Sequence, residues 1–403
     1  MKKLLILGAS VYQVPLIKTA NSMGLYTIVS SIPGNYPGFA FAQKTYDINT
    51  IDRDAIFELA KTEGIDGITT TGTDVAVATI GYVNERMGLS GISEEAARRT
   101  TDKAVMKESF KSGGVSASEF YKAYDSDSAK AAAEKIGYPV VVKCVDSSGS
   151  RGITTVREEA ALQDAFESAM AVSRKDYVLI EEELKGQEIG VDAIVSDGKL
   201  AFFAPHLKFT YPNGGITITA GHAFPYRDSA EVIDEIRLQI ERAVKALGVD
   251  NCALNADVFI DGNKVSIIEI GGRAGATCIP ELISKCYGFD YYEAIIDCAL
   301  GQKPNIPENP SELPCMAKLL MSPVDGTITR IDTASLEEIR DEGVDVALDY
   351  GEGDSVEEMI NGTTRIGHVI AFASEERELD AIMKRVYRNI YVDGKSLEEL
   401  WEA

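Results

Sequence analysis

Asp257, Glu269 and Arg273 are the residues whose types and spacing say most about chemistry. Residues 254–260 (LNADVFI) and 264–270 (KVSIIEI) are both rich in β-branched side chains and read as strands. Asp261-Gly262-Asn263 between them is hairpin-turn chemistry. A pairing centred on Asn263 sets Asp257 opposite Glu269, and opposed residues share a face, with Cβ atoms roughly 4.5–5.5 Å apart. Two carboxylates so placed repel unless a proton or a cation sits between them. A hard divalent ion such as Mg²⁺ would take oxygen ligands from both. It would keep its other positions for water and phosphate, so the pair also points to a nucleotide. A one-residue slip would send the two acids to opposite faces. Arg273 follows in Gly271-Gly272-Arg273-Ala274-Gly275-Ala276. Small residues there let a ligand come close, and a guanidinium pairs bidentately with carboxylate or phosphate.

Other residues add to this picture. Lys143 interrupts an apolar run, Val140-Val141-Val142-Lys143-Cys144. A buried ammonium needs an anionic partner, unless the lysine snorkels from a strand end. The loop Ser147-Ser148-Gly149-Ser150-Arg151-Gly152 carries no bulky apolar side chain. Its successive N–H groups can form an anion-binding nest, although such a loop can also be a plain hairpin turn. No G-x-x-x-x-G-K-[ST] run is present, so this is not a P-loop. Glu181-Glu182-Glu183-Leu184 closes a strand, with Glu188 a little further on. The acids form either a solvated face or a strand end offering backbone groups to an adenine edge, with Glu188 accepting from ribose hydroxyls. His206, Lys208 and His222 flank Asn213-Gly214-Gly215, and the chain has only 3 histidines. They are candidate substrate contacts, though each also reads as an ordinary structural side chain.

These residues must be held by regular elements. Strands at 3–7, 26–30 and 67–71 alternate with helices from the Gly8-Ala9-Ser10 turn to about Gly24, over 52–62 and over 75–87. Such a βαβ series predicts an open parallel sheet. The first turn lacks G-x-G-x-x-G spacing and gives no ground for a dinucleotide site. A charged helix is expected over 94–111, broken at Gly113-Gly114. Further on, helices are expected at 128–136, 162–172 and 229–247. Strands are expected at 139–144, 153–156, 177–181, 188–196 and 200–205. Prolines 304, 307, 310 and 314 mark a linker before a last stretch of alternating strands and helices, read as a small lid.

Composition bounds the rest. The chain has 403 residues, 45% hydrophobic and 26% charged, which is room for several ordinary globular domains. A net charge of −23 argues against nucleic acid and against anionic membrane surfaces. No segment approaches the roughly 18 apolar residues of a membrane span. The apolar run after Met1-Lys2-Lys3 stops at Gly8 and reads as a buried strand rather than a signal segment. The 6 cysteines are scattered without a Cys-x-x-Cys, which fits buried thiols in a reducing cytoplasm.

Read in order, these pieces resemble the ATP-grasp superfamily of carboxylate–amine and carboxylate–thiol ligases, over nearly the whole chain. Asp102-Lys103 is similar to the Asp-Lys that precedes the family's central region. Lys103 and Lys143 look like its two phosphate-binding lysines. Ser147, Ser148, Gly149, Ser150 and Gly152 resemble the loop that closes over the triphosphate. Glu181, Glu183 and Leu184 match the adenine-clamping linker and Glu188 the ribose acid. Asp257 and Glu269 look like the Mg²⁺ acids, and Arg273 like the arginine beside the transferred phosphate. One position departs: the family usually has Asn two residues after the second acid, and this chain has Gly271. Water or Asn255 is then expected to substitute.

The resemblance implies an α/β fold in three parts. These are an N-terminal Rossmann-like parallel-sheet domain (1–93), a two-subdomain ATP-grasp α+β domain (94–303, divided near 116–183 and 184–303) and a small C-terminal α/β lid domain (304–403). It implies an ADP-forming ligase that makes an amide through an acyl phosphate, with Arg273 and Lys143 catalytic. ATP and Mg²⁺, or Mn²⁺, would be the cofactors. Partners would be a small carboxylate and an amine, with a homodimer expected from relatives. His206, Lys208, His222, Arg273, Gly275 and Ala276 are the expected substrate contacts. The stretch 275–282 resembles amino-acid ligases and carbamoyl-phosphate synthetase-like proteins. Glycinamide ribonucleotide synthetase resembles the overall plan, but its Gly-Gly-Arg-Glu-His opening is missing. An amino-acid or small-carboxylate ligase is therefore placed ahead of a purine-pathway synthetase such as phosphoribosylamine–glycine ligase. A non-catalytic ATP-binding protein stands third.

Overall fold

Short β-branched runs alternating with helices wind the start of the chain into a parallel sheet. The computed structural model describes residues 1–145, 152–213, 216–360 and 364–402. Its first elements are β1 (Lys3–Leu7), α1 (Val14–Ser22), β2 (Tyr26–Ser31), β3 (Lys44–Asp47), α2 (Arg53–Glu63), β4 (Gly67–Thr69) and α3 (Val77–Met87). The strand order is β3-β2-β1-β4, all parallel. Leu5, Leu7, Ile28, Ile56, Ile68 and Val83 fill the core beneath it. β3 escapes a reading by apolar pattern because its four residues, KTYD, lie exposed or half-exposed at the sheet edge.

The helix expected over 94–111 is two helices, α4 (Glu94–Thr101) and α5 (Lys103–Gly113). Asp102 leaves the helical backbone (φ −105, ψ 107), and its carboxylate accepts from the N–H groups of Ala104 and Val105. That cap ends one helix and starts the next. Lys103 thereby becomes the first residue of α5 instead of a mid-helix surface lysine.

β5 (Phe120–Ala123), α6 (Ser126–Ile136), β6 (Val140–Lys143), β7 (Ile153–Val156), α7 (Leu162–Val172) and β8 (Val178–Glu182) follow. They build an antiparallel sheet in the order β5-β8-β6-β7 over a core of Ala129, Ala133, Val140, Val142, Phe166 and Ile180. β9 (Gln187–Ser196), the start of β10 (Lys199–Asn213), β11 (Ile216–Phe224), α8 (Ala230–Leu247), β12 (Cys252–Asp261) and β13 (Lys264–Gly271) come next. α8 is capped by Ser229, which accepts from Val232 N–H, and ended by Gly248 in the left-handed region (φ 72). Strands β9, β12 and β13 run antiparallel with β12 in the middle.

The described chain divides into two compact units, a partition different from the three expected segments. The first comprises 1–204, 227–276 and 290–307; the second comprises 205–226, 277–289 and 308–403. Segments 205–226 and 277–289 thus leave the middle of the chain for the unit that holds its C-terminus. In the second unit the remainder of β10, β11 and strands Cys315–Met321, Arg365–Phe372 and Asp345–Leu348 pair antiparallel in that order. Their core is Leu320, Ile328, Leu336, Ile366, Val369 and Met383. Among the described residues no helix is long and apolar enough to cross a membrane.

Candidate active site

Asp257 does lie opposite Glu269, by a route the sequence did not suggest. The turn is not centred on Asn263. Asp261 pairs with Lys264, leaving a two-residue loop, Gly262-Asn263, with Gly262 at φ 59. That register alone would set Asp257 against Ile268 and turn Glu269 to the other face. The pairing shifts by one between Val258↔Ile267 and Asp257↔Glu269, so Ile268 is the extra residue of a β-bulge. Bulges re-aim side chains next to functional sites, and this one turns Glu269 onto the face of Asp257.

The same face continues on both sides. On β12, Asn255, Asp257 and Phe259 alternate with buried Ala256, Val258 and Ile260. Opposite them stand Asp192, Gly190 and Glu188 of β9. Past Asn255, Arg273 donates from Nη1 to Asn255 Oδ1 (3.1 Å) and from Nη2 to Asp74 Oδ2 (2.7 Å). Asn255 in turn donates to Asp192 Oδ2 (2.7 Å), whose other oxygen accepts the Gly275 N–H (2.8 Å). Lys103 Nζ lies 3.0 Å from Glu269 Oε2. Burial works against the charges of both Lys103 and Arg273. Glu269 for the lysine and Asp74 for the arginine more than offset it, so both groups are held above their ordinary values. These residues frame a cavity of about 220 Å³ lined by Asp74, Lys103, Asn255, Asp257, Glu269 and Arg273, with Ile51, Val75, Ala78 and Met106 as its apolar wall.

Lys143 finds the anionic partner its strand position demands. Its Nζ donates to Glu181 Oε2 at 3.1 Å, and the same oxygen takes Lys107 Nζ at 3.3 Å and Ser118 Oγ at 2.8 Å. Glu181 stands opposite Val141, so Lys143 is its diagonal neighbour on one face. Burial pushes the Glu181 carboxyl up, but Lys107 and then Lys143 outweigh it and hold it down at about 2. Lys107, buried and beside a second ammonium, is pushed below the usual lysine range. The Glu181 side chain is thus only 2% exposed and is not part of a solvated acid run. Glu183 and Leu184, with Glu182, Lys185, Phe259 and Ser266, line a second cavity of about 200 Å³. Phe259 joins this cavity to the acid face, because it lies two residues from Asp257 on β12.

Not every expected residue gathers here. Ser147, Ser148, Gly149 and Ser150 lie outside the described residues. Gly152 is described, at φ 68, and its carbonyl accepts the Cys144 N–H (2.9 Å), closing the β6–β7 hairpin. His206, Lys208 and His222 belong to the second unit and do not line the 220 Å³ cavity. The two rings are buried and packed edge to face 4.8 Å apart, with Phe224 on His206 at 4.6 Å. Burial, then His206 and Lys208, holds His222 well below the ordinary histidine value. Both histidines are therefore buried within the second unit. Gly275 is bound through its N–H to Asp192, and neither it nor Ala276 lines the cavity. The Gly8-Ala9-Ser10 turn is taken as well, since Gln13 Oε1 accepts both the N–H and the hydroxyl of Ser10.

Sequence reasoning missed Asp74, Lys107 and Asp192. Asp74 sits in the loop after β4, at the carboxyl end of a parallel strand, where ligands of such sheets bind. Lys107 is one helical turn from Lys103, and Asp192 interrupts an apolar strand as Lys143 does.

Comparison with known proteins follows the same ground. Residues 136–281 match the model of the ATP-grasp domain. The chain carries an ATP-grasp domain. Residues 318–393 match L-amino acid ligase C-terminal domain 2. Alanine–anticapsin ligase of Bacillus subtilis (strain 168) is 27% identical over 278 residues, 63% of this chain and 58% of that protein. The L-arginine-specific L-amino acid ligase of Bacillus subtilis is 23% identical over 358 residues, 85% of this chain and 84% of that one. The crystal structure of phosphoribosylglycinamide synthetase from Anaerococcus prevotii superposes with a TM-score of 0.82 at 27% identity, covering 98% of this chain and 100% of that one. The ATP-grasp match takes in Lys143, Glu181, Glu188, Asp257, Glu269 and Arg273, whereas Asp74, Lys103 and Lys107 precede it.

Proposed function

We propose that this ATP-grasp protein is an ADP-forming ligase that joins the carboxylate of an amino acid to an amine. The observation that carries the site assignment is the bulged hairpin, which places Asp257 and Glu269 on one face with Lys103 at 3.0 Å. Relatives named as an alanine–anticapsin ligase and an L-arginine-specific L-amino acid ligase, and the match of 318–393 to L-amino acid ligase C-terminal domain 2, support the substrate class.

The residues suit a magnesium–nucleotide pair. Among the described residues no group of three or more His, Cys, Asp and Glu side chains forms a ready cage for a metal. Two opposed carboxylates are the donor set of an ion that takes its remaining ligands from phosphate and water. Asp257 and Glu269 would hold Mg²⁺, which supplies positive charge to the phosphate oxygens when bound. Glu183 and Leu184 line the cavity we assign to adenine, and Glu188 stands opposite Phe259 of that cavity, on the face shared with the acids. Lys103, Lys143 and Arg273 carry the positive charge needed where the phosphoryl oxygens gain negative charge. Lys107 keeps Glu181 neutralised when Lys143 turns to phosphate. The substrate carboxylate attacks the γ-phosphate to give an acyl phosphate and ADP; the amine then displaces phosphate. Six free thiols suit a reducing cytoplasm, and a homodimer is the assembly we expect.

A purine-pathway synthetase is the second reading, favoured by the likeness to phosphoribosylglycinamide synthetase. ADP release measured against a panel of amino-acid pairs and against phosphoribosylamine with glycine tests both. Turnover only with phosphoribosylamine and glycine would replace the first reading by the second. ATP binding with no turnover anywhere would leave a non-catalytic protein.

A further inference from the structure

The Asp74–Arg273 pair is incomplete as it stands on the wall of the 220 Å³ cavity. Asp74 Oδ2 accepts from Arg273 Nη2 at 2.7 Å, and among the described residues nothing donates to Oδ1. Arg273 Nη1 is taken by Asn255 and the Ala274 carbonyl, while Nε is buried without a partner. Gly271 is what lets the carboxylate occupy this position. A Cβ there would lie 2.7 Å from Asp74 Oδ1, although Gly271 is not among the glycines with positive φ. Space, not backbone conformation, calls for glycine. The loop carrying Asp74 is fixed, because Thr71 bridges to Ala274 and Gly72 N–H donates to the Ala274 carbonyl at 3.1 Å. Beside it Ile51 and Val75 line the cavity while 52% and 54% exposed, an apolar lip left open among the described residues.

We propose that Asp74 determines specificity by accepting the ammonium group of an apolar α-amino acid, whose carboxylate turns toward Lys103 and the paired acids and whose side chain lies against Ile51 and Val75. This rests on the ligase reading and deepens it, by naming the carboxylate that is activated as one with a free amine beside it. A charge-assisted hydrogen bond fixes the amine. A substrate lacking the amine leaves Asp74 Oδ1 unmet, and such sites reject the analogue strongly.

Calorimetric titration decides the point. Wild type and Asp74→Asn would be titrated with L-leucine and L-methionine and with 4-methylpentanoate and 4-(methylthio)butanoate, all with Mg²⁺ and a non-hydrolysable ATP analogue. Asparagine keeps the shape and can still accept from Arg273, but it has no charge for an ammonium. Wild type should bind each amino acid at least about tenfold more tightly than its partner acid. The variant should lose about ten- to a hundredfold in amino-acid affinity, with the plain acids and the nucleotide within about twofold. Equal affinity of wild type for both members of each pair would overturn the assignment. So would no binding of either amino acid, or a variant that weakens both acids or the nucleotide alike. ADP release from parallel samples in which ATP replaces the analogue separates the two claims. Discriminating binding without turnover sinks the ligase reading alone; turnover without discrimination sinks only the role of Asp74.

Discussion

Replacing Gly271 by alanine adds one methyl group where the Asp74–Arg273 pair has least room. The new Cβ would lie 2.7 Å from Asp74 Oδ1 and 3.4 Å from Arg273 Cζ. Ordinary contact begins near 3.4 Å, so the carboxylate must withdraw by about 0.7 Å. The 2.7 Å hydrogen bond from Arg273 Nη2 would stretch by as much as that, to about 3.4 Å, and weaken. A charged hydrogen bond contributes roughly 1.5–3 kcal/mol. The Asp74 side chain is 37% exposed, and screening by water reduces the figure to about 1 kcal/mol. The methyl group meets the end of a flexible side chain rather than backbone, and the backbone itself accepts alanine. Melting temperature should therefore fall by no more than about 2 °C. Amino-acid affinity should fall at least about fivefold, because the displaced carboxylate also misplaces the ammonium contact. The Michaelis constant for ATP should hold, since Lys103, Lys143 and Asp257 keep their places. Coupled ADP-release kinetics and calorimetry report both quantities. Unchanged amino-acid affinity, or an equal loss for ATP, would refute the reasoning from the Gly271 gap.

Two further substitutions probe the other parts of the site. Glu269→Gln removes one of the paired acids and the partner of Lys103; Mg²⁺-dependent ADP formation should drop more than about a hundredfold with circular dichroism unchanged, and normal turnover would refute the metal assignment. Glu181→Gln tests the buried lysine pair through pH. The Glu181 carboxyl is ordinarily near 4.5 and in the fold is held at about 2. A depressed carboxyl stabilises the fold fully above its unfolded value and loses that stabilisation as pH falls toward the folded value, so the window is about pH 4.5 to 2. The shift corresponds to something on the order of 3 kcal/mol. Urea unfolding should show wild type losing stability across that window more steeply than Glu181→Gln, which should be destabilised at pH 7 by the two lysines left unpaired. Parallel pH profiles would show that Glu181 does not carry the charge.

Much of the fold was legible because pattern and period agree. β1, β2 and β4 are apolar, buried runs, and α8 has a clean apolar stripe between a serine cap and a terminal glycine. β3 was not legible, because an edge strand with polar residues carries no burial signal. The split of α4 from α5 turns on one capping carboxylate, Asp102, which propensity cannot weigh against helix continuation. In the candidate site the sequence pointed to the acid pair but not to its mechanism. Turn chemistry gave the hairpin, and only tertiary structure shows the bulge at Ile268 that aligns Glu269. Lys143 signalled a buried anion, but its identity as Glu181, shared with Lys107, depends on three elements meeting. His206 and His222 drew notice by rarity, which is not a physical argument, and their rings lie buried against each other and Phe224. Asp74 lies nearly two hundred residues from Arg273, and no local spacing can join them.

The account rests on a carboxylate being phosphorylated before the amine attacks. Incubation with Mg²⁺, ATP, an accepted amine and an amino acid labelled with ¹⁸O in its carboxylate tests this most directly, with the released phosphate read by mass spectrometry. One ¹⁸O should appear in phosphate for each ADP formed. Phosphate free of label, or AMP and pyrophosphate in place of ADP, would contradict it.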